Sequence, residues 1–126
     1  MLGTEIEAYF KSHPILKKHF LGIFAVDQIA RINFRHKKFA VVNTDSLSGE
    51  GIHWFLIFRS QTETECFDSL GVSKEEVQKR LGNMRNIFFN SSAVQPSTSV
   101  NCGVYVIYFA LARMLNCDET FEEAEC

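Results

Sequence analysis

Cys102, His53, Asp68 and Gln95 together supply the residue types that nucleophilic acyl chemistry needs. Cys102 stands where a polar loop carrying Gln95 meets an apolar run that begins at Gly103. If that run is helical, its first turn presents backbone N–H groups with no partner inside the helix, and a partial positive charge points at the residue before it. A thiolate is stabilised in that position, and a stabilised thiolate is a nucleophile at neutral pH. The same N–H groups, with the Gln95 amide folded back beside them, offer donors to the negative oxygen formed when a thiolate attacks a carbonyl. A lone cysteine at a loop-to-helix boundary is ordinarily just a small buried apolar residue. The chemical reading therefore requires a base and a group to orient it.

Both are found in the middle of the chain. Ile52 to Arg59, IHWFLIFR, is apolar at nearly every position, the pattern of a central strand covered on both faces. The polar link SQTETE ends it, and Cys66-Phe67-Asp68 supplies a second strand, so a β-hairpin is expected. With its turn between Ser60 and Glu63, residues whose numbers sum to about 121 to 123 face one another, and His53 and Asp68 satisfy that register. An imidazole and a carboxylate so placed form the orienting half of a catalytic triad, because the carboxylate fixes the ring's tautomer and stabilises its protonated form. The alternative is that the two merely cap strand ends. Asp45 and Glu50 are rival carboxylates, but they lie in a loop with nothing to hold them. His13, His19 and His36 sit among lysines and polar residues and read as solvated surface histidines.

The remaining elements follow from local signals. Thr4 and Glu7 have capping-box spacing ahead of Ile6, Tyr9 and Phe10, which predicts a short helix stopping near His13-Pro14. Phe20 to Ile29 is an apolar loop or short strand that Gly22 allows to bend, and Phe39 to Val42 reads as a strand. Ser73 and Glu76 repeat the capping box and open a charged, exposed helix of about two turns that Gly82 should end after Leu81. Asn86 to Asn90 is a short apolar strand. From Gly103 to Leu115 apolar residues occur all the way round, as in a helix buried on every side; Val104, Val106 and Ile107 make a strand the competing assignment, which the length disfavours.

Composition bounds the function. A chain of 126 residues fits one domain able to bury its own core, and a net charge of -2 leaves no electrostatic footprint for nucleic acid. The longest apolar run, Val104 to Ala112, is far shorter than the roughly 20 residues of a membrane span, and the N-terminus lacks the basic start and apolar core of a signal peptide. The expectation is a soluble protein that is not secreted. Cys66, Cys102, Cys117 and Cys126 show no CxxC spacing, so neither a metal site nor a disulfide framework is expected. Asn90-Ser91-Ser92 is formally a glycosylation sequon, without weight in the absence of a secretory start.

The motifs, in chain order, are Phe20-Leu21-Gly22, AVVNT at Ala40 to Thr44, GIHW at Gly51 to Trp54, CFDSLG at Cys66 to Gly71, and VQPSTSVNCGVYVIYF at Val94 to Phe109. In this order and spacing the chain resembles the adenovirus-type maturation proteases, cysteine peptidases that also occur in virophages, adintoviruses and Polinton/Maverick transposons. Its aspartate motif is more similar to the transposon and virophage members. The resemblance implies Cys102 as nucleophile, His53 as general base and then acid, Asp68 as the residue orienting His53, and Gln95 as oxyanion donor beside the Cys102 N–H. It also implies a substrate cleft bordered by Trp54, Gly51 and Gly103. The implied fold is α+β, a central sheet whose His/Asp hairpin packs on a buried helix with the nucleophile at its N-terminus, as one domain over residues 1–126.

The implied activity is cleavage of capsid precursors or other structural proteins during particle maturation, at small-residue sites of glycine-glycine character, without a cofactor. The location is then the host cytoplasm or nucleus, and the virion. Adenovirus enzymes take an activating peptide through a disulfide to a cysteine just before the glutamine, and also DNA. Here that region holds Met84, Phe88 and Phe89 but no cysteine, and the net charge is slightly acidic, so neither mode is supported. Proteases of SUMO and other ubiquitin-like proteins share the HW, D, Q and CG motifs, but usually carry an aspartate before the cysteine and an Asn-Gly pair in the loop. This chain has Asn101 and PSTSV. Acetyltransferases that reuse a related site need a basic stretch for acetyl-CoA, and none is evident.

Overall fold

The structure, a computed structural model, describes residues 3–34, 38–44, 53–60, 62–82, 84, 86–94 and 102–115, without the side chains of 102 and 115. Its fold is α+β. Five strands, β1 (Phe20–Ala25), β2 (Lys38–Asn43), β3 (Trp54–Arg59), β4 (Thr64–Phe67) and β5 (Ile87–Phe89), form one mixed sheet in sequential order. β1 and β2 are parallel, as are β4 and β5, while β2, β3 and β4 are antiparallel neighbours. Helices α1 (Gly3–Ser12), α2 (Lys74–Leu81) and α3 (Cys102–Leu115), with 3₁₀ turns at Leu16–Lys18 and Val26–Arg31, cover its faces.

β3 is central, and its near-continuous apolar sequence is used on both sides. Leu56 and Phe58 face one core with Ile6 and Phe10 of α1, Phe39 and Val41 of β2, and Val106, Phe109 and Ala110 of α3. Phe55 and Ile57 face a second core with Ile29, Val42, Cys66, Val72, and Val77 and Leu81 of α2. The alternation of side chains along a strand divides one apolar run between two cores.

Local chemistry sets the boundaries. Ser73 caps α2 by accepting the Glu76 N–H at 3.1 Å, and Gly82 ends the helix with a φ of 58°. The Gly22 bend is a bulge: φ is 137° there and the β1–β2 register shifts between Phe20 and Ile23.

Several expectations are corrected. Helix α1 starts by Gly3, so Thr4 lies inside it and does not cap it. His13 is not merely solvated, because its Nδ1 accepts the N–H groups of Ile15 and Leu16, each at 3.1 Å, and so starts the turn after Pro14. β4 begins at Thr64, taking in two residues of the supposed polar link. Helix α3 is not buried on every side: Val104 is 50% and Tyr108 68% exposed, because the sheet covers the opposite face of the helix. Among the described residues no helix is long and apolar enough to cross a membrane.

Candidate active site

His53 immediately precedes β3 and Asp68 immediately follows β4, so both stand at the open end of the hairpin, away from the turn closed by the Ser60 N–H to the Glu63 carbonyl. The ladder pairs Leu56 with Phe67 and Ile57 with Cys66, a register that sets His53 diagonally beyond Asp68's direct partner position. The side chains close the gap. His53 Nε2 lies 2.5 Å from Asp68 Oδ1. The His53 carbonyl accepts the Thr44 N–H at 2.8 Å, which ties its backbone to the end of β2.

Asp68 is fixed more heavily. Buried Asn90, at the end of β5, accepts the Asp68 N–H with Oδ1 at 2.9 Å and donates Nδ2 to the Asp68 carbonyl at 2.5 Å. The Leu70 N–H donates to Asp68 Oδ1 at 3.0 Å. The turn is then laced to the segment after β5, with Val72 N–H to the Asn90 carbonyl at 3.0 Å and Val94 N–H to the Ser69 carbonyl at 2.8 Å. Gly71 permits this approach: its φ is 80°, and a Cβ there would meet the Ser91 carbonyl oxygen at 2.7 Å. The same engagement buries the asparagine of the sequon.

The second carboxylate oxygen belongs to α2. Arg80 Nη1 donates to Asp68 Oδ2 at 2.8 Å, its Nε donates to Glu76 Oε1 at 3.2 Å, and its guanidinium lies 4.4 Å from the Phe55 ring centroid. Expected as part of an exposed charged helix, Arg80 has a side chain only 10% exposed. Burial pushes the Asp68 carboxyl upward, but hydrogen bonds from His53 and Arg80, the His53 charge and the Leu70 N–H together hold it below its ordinary value. Neighbouring Cys66 is fully buried, and burial lifts its thiol to about 12 against the pull of Arg80. That thiol is inert at neutral pH.

Cys102 is the first residue of α3. Two contacts orient the helix over β4: Arg113 Nε donates to Glu65 Oε2 at 2.7 Å, and the Phe109 ring stacks on Phe67 with centroids 4.1 Å apart. As β4 advances from Glu65 to Phe67, α3 is met first at Arg113 and then at Phe109, so helix and strand run in opposite directions. The N-terminus of α3 therefore points to the end of the sheet where His53 and Asp68 stand, about 10 Å beyond Phe109 at 1.5 Å per residue. Gln95 and Gly51, like the Cys102 side chain and the rival Asp45 and Glu50, lie outside the described residues. Gly103 is buried in the first turn of α3. Trp54 is half-buried against the α1/α3 core.

Residues 20–123 match the family described as adenovirus endoprotease. The chain belongs to that family. Membership makes it a cysteine peptidase of the viral endoprotease type. No curated protein matches the chain. The family match starts at Phe20, yet α1, which precedes it, contributes Ile6 and Phe10 to the core that α3 shares.

Three features of this adenovirus-endoprotease chain escaped sequence reasoning: Arg80, Asn90 and the Glu65–Arg113 pair. For Arg80 a signal existed, since it stands three residues after Val77 and next to Leu81 on the apolar stripe of α2. For the ion pair the signal was stronger, one charge within a covered strand and one within an apolar helix. Buried charges of opposite sign are found together.

Proposed function

We propose that the protein is a thiol endopeptidase in which Cys102 is the nucleophile, His53 the base and acid, Asp68 the residue that orients His53, and Gln95 with the Cys102 N–H the oxyanion donors. The observation that carries this reading is the 2.5 Å contact between His53 Nε2 and Asp68 Oδ1 at the sheet end toward which α3 points. With Nε2 committed to the carboxylate, proton exchange with sulfur falls to Nδ1. The Cys102 thiolate attacks the scissile carbonyl carbon while His53 holds the thiol's proton. Collapse of the tetrahedral intermediate breaks the C–N bond as that proton passes to the leaving amine. Water then attacks the thioester, His53 takes its proton and returns it to sulfur, and the free acid leaves.

The fold reading that accompanies it is the adenovirus-protease arrangement, one domain over the chain, with the His/Asp hairpin packed on the helix that starts at the nucleophile. Trp54, Gly51 and Gly103 border the cleft in this reading. The substrates are capsid precursors or other structural proteins of a virus or of a transposon of the Polinton type, cut during maturation at glycine-glycine-like sites. No cofactor is required, and the site of action is inside the host cell and the particle.

The test is incubation of the protein and of Cys102→Ala with structural proteins encoded beside it and with a peptide bearing a glycine-glycine site, the products being read by mass spectrometry. Cleavage that Cys102→Ala abolishes is expected. Cleavage of a ubiquitin-like precursor alone would replace the substrate assignment, and undiminished cleavage by Cys102→Ala would remove the mechanism.

A further inference from the structure

We propose that Arg80 is a positioning residue of this peptidase: its guanidinium fixes the Asp68 carboxylate through Oδ2 and thereby sets both the direction and the strength with which Asp68 holds His53. The inference rests on the roles given to His53, Asp68 and Cys102 above.

A carboxylate with a single hydrogen-bonding partner can rotate to offer either oxygen. Asp68 has no such latitude, because Arg80 Nη1 takes Oδ2 at 2.8 Å while His53 and the Leu70 N–H share Oδ1. Arg80 is itself immobilised. Glu76 accepts from its Nε one helical turn back, the Phe55 ring lies beneath its guanidinium, and its side chain is 10% exposed against 2% for Asp68. The arginine thus reaches the couple from α2, on the face of the sheet opposite α3, and carries the position of that helix to the acid.

The charge matters as much as the geometry. The charged and titratable groups that the described residues set around Asp68 are His53 before β3, Arg80 and through it Glu76 from α2, and Cys66 from β4. Asp68 shared with a permanent cation stabilises an imidazolium less than Asp68 alone would, since part of its field is already answered. A less stabilised imidazolium releases its proton more readily, and the leaving amine must receive that proton. Arg80 therefore tunes His53 between holding a proton for the thiolate and giving it up to the product.

The experiment follows the His53 ring resonances by NMR across pH, assigned with His53→Ala, with the other histidines as internal references. Arg80→Met is expected to raise the His53 midpoint by about one pH unit while leaving His13 and His19 in place. In peptide hydrolysis it lowers kcat about tenfold with little change in KM. Arg80→Lys, which keeps the charge, is expected to bring the midpoint back toward wild type while kcat stays reduced, because a compact ammonium on a flexible stem lacks the planar fork whose separate nitrogens fix Asp68 and Glu76. A folded Arg80→Met protein with an unmoved His53 midpoint overturns the proposal. If Arg80→Met does not fold, Arg80→Lys decides: reduced kcat at constant KM supports the role, and unchanged kcat overturns it. The NMR titration uses no substrate, so failure of the peptidase reading, seen as undiminished hydrolysis by Cys102→Ala, is told apart from failure of this one.

Discussion

Glu65 on β4 and Arg113 on α3 meet at 2.7 Å with side chains only 3% and 5% exposed. The guanidinium also lies 5.0 Å from the Phe58 ring centroid, so strand, helix and central strand converge on one buried charge pair. Removing one member leaves the other desolvated without this partner, which costs far more than the pair contributes relative to an apolar substitute. Arg113→Met is expected to destabilise the fold by about 3 kcal/mol, and Glu65→Gln with Arg113→Met together by markedly less than the sum of the two. Urea unfolding of the double-mutant cycle reads this directly; additive losses would contradict it.

The lowered carboxyl of Asp68 gives a pH signature. Because its folded value lies below the ordinary one of about 3.9, its stabilisation is complete above that value and disappears as pH falls through the folded value. The urea midpoint of the wild type should therefore fall more steeply than that of Asp68→Asn as pH drops from about 5 to 2. Parallel curves would show that Asp68 is not coupled to its cationic neighbours.

Cys66 and Cys102 should separate under alkylation. Burial keeps the Cys66 thiol protonated at neutral pH, its value being about 12. Brief iodoacetamide treatment of the native protein, followed by peptide mapping, is expected to leave Cys66 unmodified while Cys102 reacts, and His53→Ala to slow the Cys102 reaction about tenfold. Cys66 labelling then serves as a report of unfolding. Equal labelling of the two in native protein would refute the assignment.

Two glycines with positive φ make opposite claims about space. Gly82 has a φ of 58° and open surroundings, so Gly82→Ala should cost about 2 kcal/mol, the strain of the backbone alone. Gly71 has a φ of 80° and a backbone oxygen where a Cβ would go, so Gly71→Ala should cost about 3 kcal/mol and lower peptidase activity by displacing the Asp68 turn. Thermal unfolding ranks them, and equal costs would mean that the Ser91 contact is not binding.

The parts of this molecule that sequence made legible are those set by neighbours in the chain. Ser73, Glu76 and Gly82 delimit α2 by local hydrogen bonding and φ preference, and the hairpin register follows from the short turn between Ser60 and Glu63. What stayed hidden depends on which face of an element turns inward. Arg80 four residues after Glu76 looks like an ordinary solvent-side pair until α2 is laid on Phe55, and Val104 and Tyr108 look like core until the sheet is seen to cover only one side of α3. Asn90, read as the end of a short strand, owes its role to β5 lying parallel beside β4, a pairing that no local pattern specifies.

The lacing of residues 68–72 to residues 90–94 means that the acid and the approach to Gln95, distant along the chain, behave as one rigid bracket. Val94, whose amide is tied to Ser69, is the residue immediately before Gln95. Slack introduced anywhere in that bracket is felt at both of its ends, so a substitution chosen to loosen one arm will report on the other.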